Sequence, residues 1–74
     1  MIEVKVLVKE NALKKFELKA EKCDLSDKVN FRIGDISFGI VDYYFKGEMI
    51  DIINFLEDLG YTDSQIIRIL KGLL

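Results

Sequence analysis

The chain has 74 residues, of which 50% are apolar and 32% are charged, and its formal net charge is −2. This composition is typical of one globular domain with a thin core, and it excludes an intrinsically disordered chain. Because the sequence has no histidine and a single cysteine, Cys23, it lacks the residues for an internal disulfide, a zinc site or histidine-based acid–base catalysis.

The distribution of apolar and charged residues also bears on location and partners. No apolar run approaches the roughly 18 residues that a membrane span needs, and the first residues alternate in polarity, unlike a signal peptide. We therefore expect a soluble, cytoplasmic protein with no membrane partner. Residues 48–74 hold five acidic and two basic residues, so the chain lacks the basic surface typical of nucleic-acid binding.

Residues 2–8 and residues 13–21 each alternate between apolar and polar side chains, which is the period of a half-buried strand. The pattern predicts one strand over 2–8 and a second over 13–21. A loop at 10–12 would set Val6 opposite Phe16 and Val4 opposite Leu18, so that both apolar sets share one face of a hairpin.

A second hairpin is predicted around Gly34 and Asp35, which stand between two apolar segments. Glycine at the first central position suits a type II′ turn. The resulting register pairs Ile33 with Ile36, Phe31 with Phe38 and Val29 with Ile40. Gly39 is interpreted as a bulge that rotates the strand.

The end of this last strand is apolar or aromatic on both faces. Two interpretations are open: the side chains fold into the core under the helices, or they form an exposed patch for a partner protein or a second copy of the chain. The candidate partner-binding residues are Val41, Tyr43, Tyr44 and Phe45.

The last third of the chain predicts two amphipathic helices joined by a tight corner. Residues 48–59 place apolar side chains on one stripe, and Gly60 supplies the positive φ that ends this helix. Thr62 and Gln65 have the spacing of a capping box, which starts a second helix over 62–71. Its apolar stripe also includes Leu73 and Leu74.

The corner combines a turn glycine with apolar residues on either side, namely Phe55, Leu59, Gly60, Tyr61, Ile66 and Ile69. This arrangement resembles the helix-turn-helix of DNA-binding proteins, which implies a second helix in the major groove. The candidate nucleic-acid-binding residues are then Ser64, Gln65, Arg68 and Lys71. The Leu-Gly-Tyr segment is also similar to the loop of ubiquitin-associated domains.

These patterns predict one α+β domain over residues 1–74. A four-stranded antiparallel sheet of two hairpins, within 1–47, is followed by a helical hairpin, 48–74, packed on one face. We expect a non-enzymatic module with no catalytic, metal or cofactor site and no small-molecule substrate. It would bind another protein or form a homodimer, as regulators or inhibitors from microbes and phages do. A helix-turn-helix-like regulator that binds nucleic acid through 62–71 is the alternative.

Overall fold

The structure is a computed structural model that describes residues 1–72; Leu73 and Leu74 lie outside the described part. Its elements in chain order are β1 (Ile2–Lys9), a 3₁₀ turn (Glu10–Ala12), α1 (Leu13–Glu21), β2 (Asn30–Ser37), β3 (Ile40–Gly47), α2 (Met49–Asp58) and α3 (Asp63–Lys71). None of the helices in this part of the chain is long and apolar enough to cross a membrane.

The α+β class agrees with the prediction, but the predicted numbers of strands and helices are wrong. Over residues 1–72 the sheet has three antiparallel-paired strands in the order β1-β3-β2, and three α-helices accompany it. β3 is central, so β1 and β2 run parallel to each other on its two sides. Two parallel strands need a crossover connection, and α1 provides it.

The segment predicted as the second strand is α1. Leu13, Phe16 and Ala20 have helical spacing, and Ala20 is buried while the other two are partly buried against the core. Leu18, which the strand interpretation placed beside Phe16 on the apolar face, is 54% exposed. Lysine, glutamate, leucine and alanine favour helix, and this preference outweighs the coincidental alternation of the segment.

The predicted turn at Gly34 and Asp35 is also wrong. The chain reverses at Phe38 and Gly39, both at positive φ (52° and 75°), between the paired residues Ser37 and Ile40. Positive φ at both central positions matches the twist of a hairpin with a two-residue loop. This register places Phe31 opposite Phe45 rather than opposite Phe38.

Gly34 and Asp35 instead form a bulge inside β2, where two residues stand opposite Asp42. A β-carbon at Gly34 would overlap the ring of Tyr44. The same ring lies under the guanidinium of Arg32, with 3.9 Å between Cζ and the ring centroid. Gly34 is therefore needed for the packing of Tyr44 on the face of the sheet away from the helices.

We expect Gly34→Val to lower the free energy of unfolding by about 1–3 kcal/mol, because the added side chain displaces the Tyr44 ring. The measurement is denaturant unfolding, repeated with Tyr44→Ala as the background. In that background the glycine substitution should have little effect, since the ring it displaces is gone. An equal cost in both backgrounds would show that Gly34 is required for another reason.

The core lies between the sheet and the helices. Its centre is a group of aromatic rings from β2, β3, α1 and α2, with ring centroids 5.1–6.5 Å apart. The rings belong to Phe16, Phe31, Tyr43, Phe45 and Phe55. Val4, Val6 and Val8 of β1 extend the core to the sheet edge, and Ile52, Leu56 and Ile66 close it from the helices.

The corner between α2 and α3 is formed as the sequence predicts. Gly60 has a φ of 98°. The backbone N–H of Gln65 donates to Thr62 Oγ1 (3.3 Å), and the backbone N–H of Thr62 donates to Gln65 Oε1 (2.9 Å). The capping box is confirmed, and it fixes the start of α3.

Thr62→Ala should destabilise the protein by about 0.5–2 kcal/mol, because the Gln65 N–H loses its side-chain acceptor. Thermal unfolding measures this cost. Ser64→Ala, at an exposed position two residues further along the chain, is the matched control and should leave the melting temperature nearly unchanged. Equal melting temperatures for Thr62→Ala and the unmodified chain would contradict the cap.

Candidate protein-interaction surfaces

The tip of the β2–β3 hairpin presents an aromatic side chain to solvent. Phe38 is fully exposed, and its backbone has a φ of 52°. Residues other than glycine, asparagine and aspartate rarely adopt this left-handed conformation, and for a bulky residue it is a genuine outlier. Phe38 therefore combines two unfavourable features, a strained backbone and an apolar side chain in water.

Two further apolar side chains continue from the tip along β2. Ile33 and Ile36 are 47% and 55% exposed. They pair with Tyr43 and Val41 of β3, so they lie on the face of the sheet that the helices cover elsewhere. We call Ile33, Ile36 and Phe38 the hairpin patch.

The hairpin patch is exposed because the helices cover the other end of β2. There Phe31 is partly buried and stacks on Phe55 of α2, with 5.5 Å between ring centroids. Toward the turn this cover ends. A continuous apolar edge is thus left open beside a well-packed core.

The four residues predicted as a partner surface divide between two faces. Val41, Tyr43 and Phe45 point into the core and are at most 6% exposed. Burial raises the pKa of the Tyr43 hydroxyl, and the nearby carboxylates of Glu17 and Glu21 raise it further. These three side chains therefore belong to the core, which was the first of the two interpretations of the strand end, and a partner protein could not reach them.

Tyr44, the fourth residue, lies on the opposite face and is partly buried. Its ring packs under Arg32, whose Nη2 lies 3.3 Å from Oε1 of Glu3 across the central strand. The ring is thus held by neighbours in its own sheet.

The residues proposed for nucleic-acid contact are all exposed on α3. They are Ser64, Gln65, Arg68 and Lys71. The Gln65 side chain accepts a hydrogen bond within the capping box, and Arg68 lies beside β1 across a groove. Asp63 lies at the start of the same helix, so α3 would place a carboxylate as well as its two cations near the phosphates of a nucleic acid.

The only cysteine lies between α1 and the end of α2. Its thiol donates to the carboxylate of Asp58, with 3.4 Å between Sγ and Oδ2. Burial raises the pKa of the Cys23 thiol, a backbone hydrogen bond at Leu25 opposes this shift, and Asp58 adds to it. No group of three or more potential ligands in residues 1–72 could hold a metal ion.

We expect Cys23 to be alkylated more slowly at neutral pH than a free cysteine, because a raised pKa leaves less thiolate. The rate of Cys23 alkylation by iodoacetamide increases with pH, and this increase should occur at a higher pH than it does for the free amino acid. Asp58→Asn should accelerate the reaction by removing the carboxylate, whereas Asp27→Asn should not. Alkylation at the rate of free cysteine, unaffected by Asp58→Asn, would contradict the described contact.

The hairpin patch could not be found by looking for aromatic clusters, because the largest cluster in the sequence is the core. The available indication was Gly39, which follows one apolar segment and precedes another, as the second residue of a two-residue hairpin loop does. Gly34 and Asp35 fitted a turn equally well, and that choice placed Phe38 inside the sheet.

Known proteins provide no further guidance on these surfaces. No protein-family model, curated protein or solved structure matches the chain. We therefore infer function from the exposed side chains and from the open edges of the sheet.

Proposed function

We propose that the protein is a small protein–protein interaction module that docks on a partner protein through the hairpin patch. The observation that carries this proposal is Phe38, fully exposed at the hairpin tip with a φ of 52°. Both features oppose folding and solubility of the isolated chain. Such strained and exposed residues are concentrated at functional sites, where a ligand or partner uses them.

The shape of the surface indicates the chemistry of the partner. A hairpin tip protrudes, so its complement is a concave apolar pocket that receives the Phe38 ring. Aromatic side chains that fill such pockets are frequent hot spots, because they bury large areas with little loss of rotamer freedom. Ile33 and Ile36 would pack on the rim of the pocket.

The remainder of the molecule serves as a rigid support for this surface. Ile33 and Ile36 of the hairpin patch lie on β2, and Phe38 lies in the turn that joins β2 to β3. β3 is at the centre of the sheet and carries the buried rings of Tyr43 and Phe45. An anchor held in this way loses little freedom on binding. A module of this size would act as a regulator or inhibitor by occupying a pocket of its target.

The experiment compares three immobilised baits in an extract of the cells that make the protein: the unmodified chain, Phe38→Asn and Leu18→Gln. Leu18 is also an exposed apolar residue, but it lies on α1. We expect one protein or a small set to be retained by the unmodified chain and by Leu18→Gln, and lost with Phe38→Asn. Retention that is the same for all three baits would contradict the proposal.

Self-association is tested in parallel by sedimentation of the purified chain. The proposal expects a monomer at micromolar concentration. A dimer that Phe38→Asn converts to a monomer would instead assign the hairpin patch to contact between two copies.

A further inference from the structure

The opposite edge of the sheet has a second open surface. β1 pairs with β3 over all eight of its residues without a bulge. The hydrogen bond from Glu10 N–H to Gly39 O (2.8 Å) extends this ladder by one residue pair. It shows that the backbone groups of the even-numbered residues face β3. Because antiparallel ladder bonds alternate along a strand, the backbone groups of the odd-numbered residues face the open side. These residues are Glu3, Lys5, Leu7 and Lys9.

A groove runs along this edge beneath the helices. It consists of two adjoining hollows of about 370 and 380 Å³, and Tyr61 and Gln65 line both of them. One hollow extends from β1 to α1 at Phe16, and the other extends between β1 and α3 at Ile69. A groove between a strand edge and a helix has the form of sites that accept an extended peptide as an added strand.

The charged residues that line this groove all have the same sign. They are Lys5, Lys15, Lys19 and Arg68, and no aspartate or glutamate joins them among the described lining residues. The whole chain has a net charge of −2, so the groove departs from the charge of the rest of the molecule. The ion pairs among residues 1–72 join the Met1 amine to Glu48 and Arg32 to Glu3, so none of these four cations has an acidic partner within the described part of the chain.

We propose that this groove binds an extended acidic segment of another protein, which pairs with β1 as a fourth strand. The backbone groups of the odd-numbered β1 residues supply the strand pairing, and the four cations supply charge complementarity. Lysine on an edge strand also deters pairing between two copies, since two basic edges repel each other. This protection against edge pairing does not explain the positions of Lys15, Lys19 and Arg68, because these residues lie on helices.

The probe is a labelled peptide of about eight residues in which glutamate and valine alternate, matched to the length of β1. Its affinity is measured by fluorescence polarisation, with a lysine–valine peptide of the same length as the control. We expect binding of the acidic peptide and not of the basic one. Lys19→Glu and Arg68→Glu should each weaken binding on the order of tenfold, because attraction becomes repulsion. Lys28→Glu, an exposed loop position outside the groove, is the matched control and should have little effect.

Two backbone variants of the acidic peptide separate strand pairing from simple charge attraction. Each carries N-methyl groups on alternate residues, so each blocks the donors along one edge of the peptide. One variant should lose binding and the other should retain it, because an added strand pairs along one edge. Equal binding of both variants, or no binding of the parent peptide, would overturn the proposal.

An oligothymidylate of similar charge provides the comparison with nucleic acid. Binding of this probe as tight as that of the peptide would assign the groove to phosphate and also overturn the proposal. The inference does not depend on the hairpin patch, which lies on the other edge of the sheet. Phe38→Asn should therefore bind the acidic peptide like the unmodified chain, so that either proposal can fail without the other.

Discussion

Phe45→Ala is expected to lower the free energy of unfolding by about 3–5 kcal/mol, a large fraction of the stability of a domain this small. Phe45 is fully buried at the centre of the core. Its ring lies 5.1 Å from that of Phe55, 5.3 Å from Tyr43, 5.6 Å from Phe31 and 6.1 Å from Phe16, measured between centroids. Truncation leaves a cavity among rigid rings from four different elements, which cannot close around it without moving the sheet or a helix.

The size of the chain makes this loss severe. A domain of 74 residues has a total stability of roughly 4–11 kcal/mol. Thermal and denaturant unfolding measure the change, and the melting temperature should fall by more than about 12 °C. Phe38→Ala is the matched control, because it removes the same atoms from a fully exposed position. Its cost should be within about 0.5 kcal/mol of zero, and similar costs for the two substitutions would contradict the described core.

Phe38→Asn is expected to act in opposite directions on stability and on binding. Asparagine tolerates the positive φ at the hairpin tip, so the free energy of unfolding should rise by about 0.5–1 kcal/mol. The affinity for the partner should fall by about 2–4 kcal/mol, or at least 30-fold, because the anchor side chain is removed. A substitution that stabilises the fold while it weakens binding separates the function of Phe38 from its structural role.

Both effects are measured on the same purified variant, by thermal unfolding and by calorimetric titration of the partner identified with the immobilised baits. Leu18→Gln removes an exposed leucine from α1 and should change neither quantity appreciably. A Phe38→Asn protein that is less stable than the unmodified chain would show that the ring contributes to the fold. Unchanged affinity would show that the partner binds elsewhere.

The corner between α2 and α3 was predictable because its determinants are local. A glycine that ends one helix and a capping box that starts the next act over a few residues, and both are present in the structure. The α+β class was predictable for a similar reason, since the strand period of β1 and the helix period of α2 are regular.

The sheet topology was not predictable from local patterns. Residues 13–21 fit the strand period and the helix period at once, and the choice depends on the crossover that joins β1 to β2. Gly34 and Gly39 both fit hairpin turns. The register that wins buries Tyr43 and Phe45 against Phe31, which is a tertiary preference that no single turn reveals.

The hairpin patch was not predicted because of this error in register. With the turn at Gly34, Phe38 faces Phe31 inside the sheet; with the turn at Phe38, the side chain stands in solvent. The turn lies at Phe38 and not at Gly34. This one difference both buries the strand end that was predicted to contact a partner and exposes Phe38. The groove beside β1 depends on the placement of three helices and had no counterpart in the sequence.

The most direct test of the proposed function is amide hydrogen exchange of the chain with and without its partner. Docking through the hairpin patch predicts slower exchange across residues 33–39, with no change along α3. The exchange of β3 amides should be slow in both states, because β3 is paired on both sides. Protection confined to residues 63–71, with residues 33–39 unaffected, would contradict docking through Phe38 and assign the contact to the last helix.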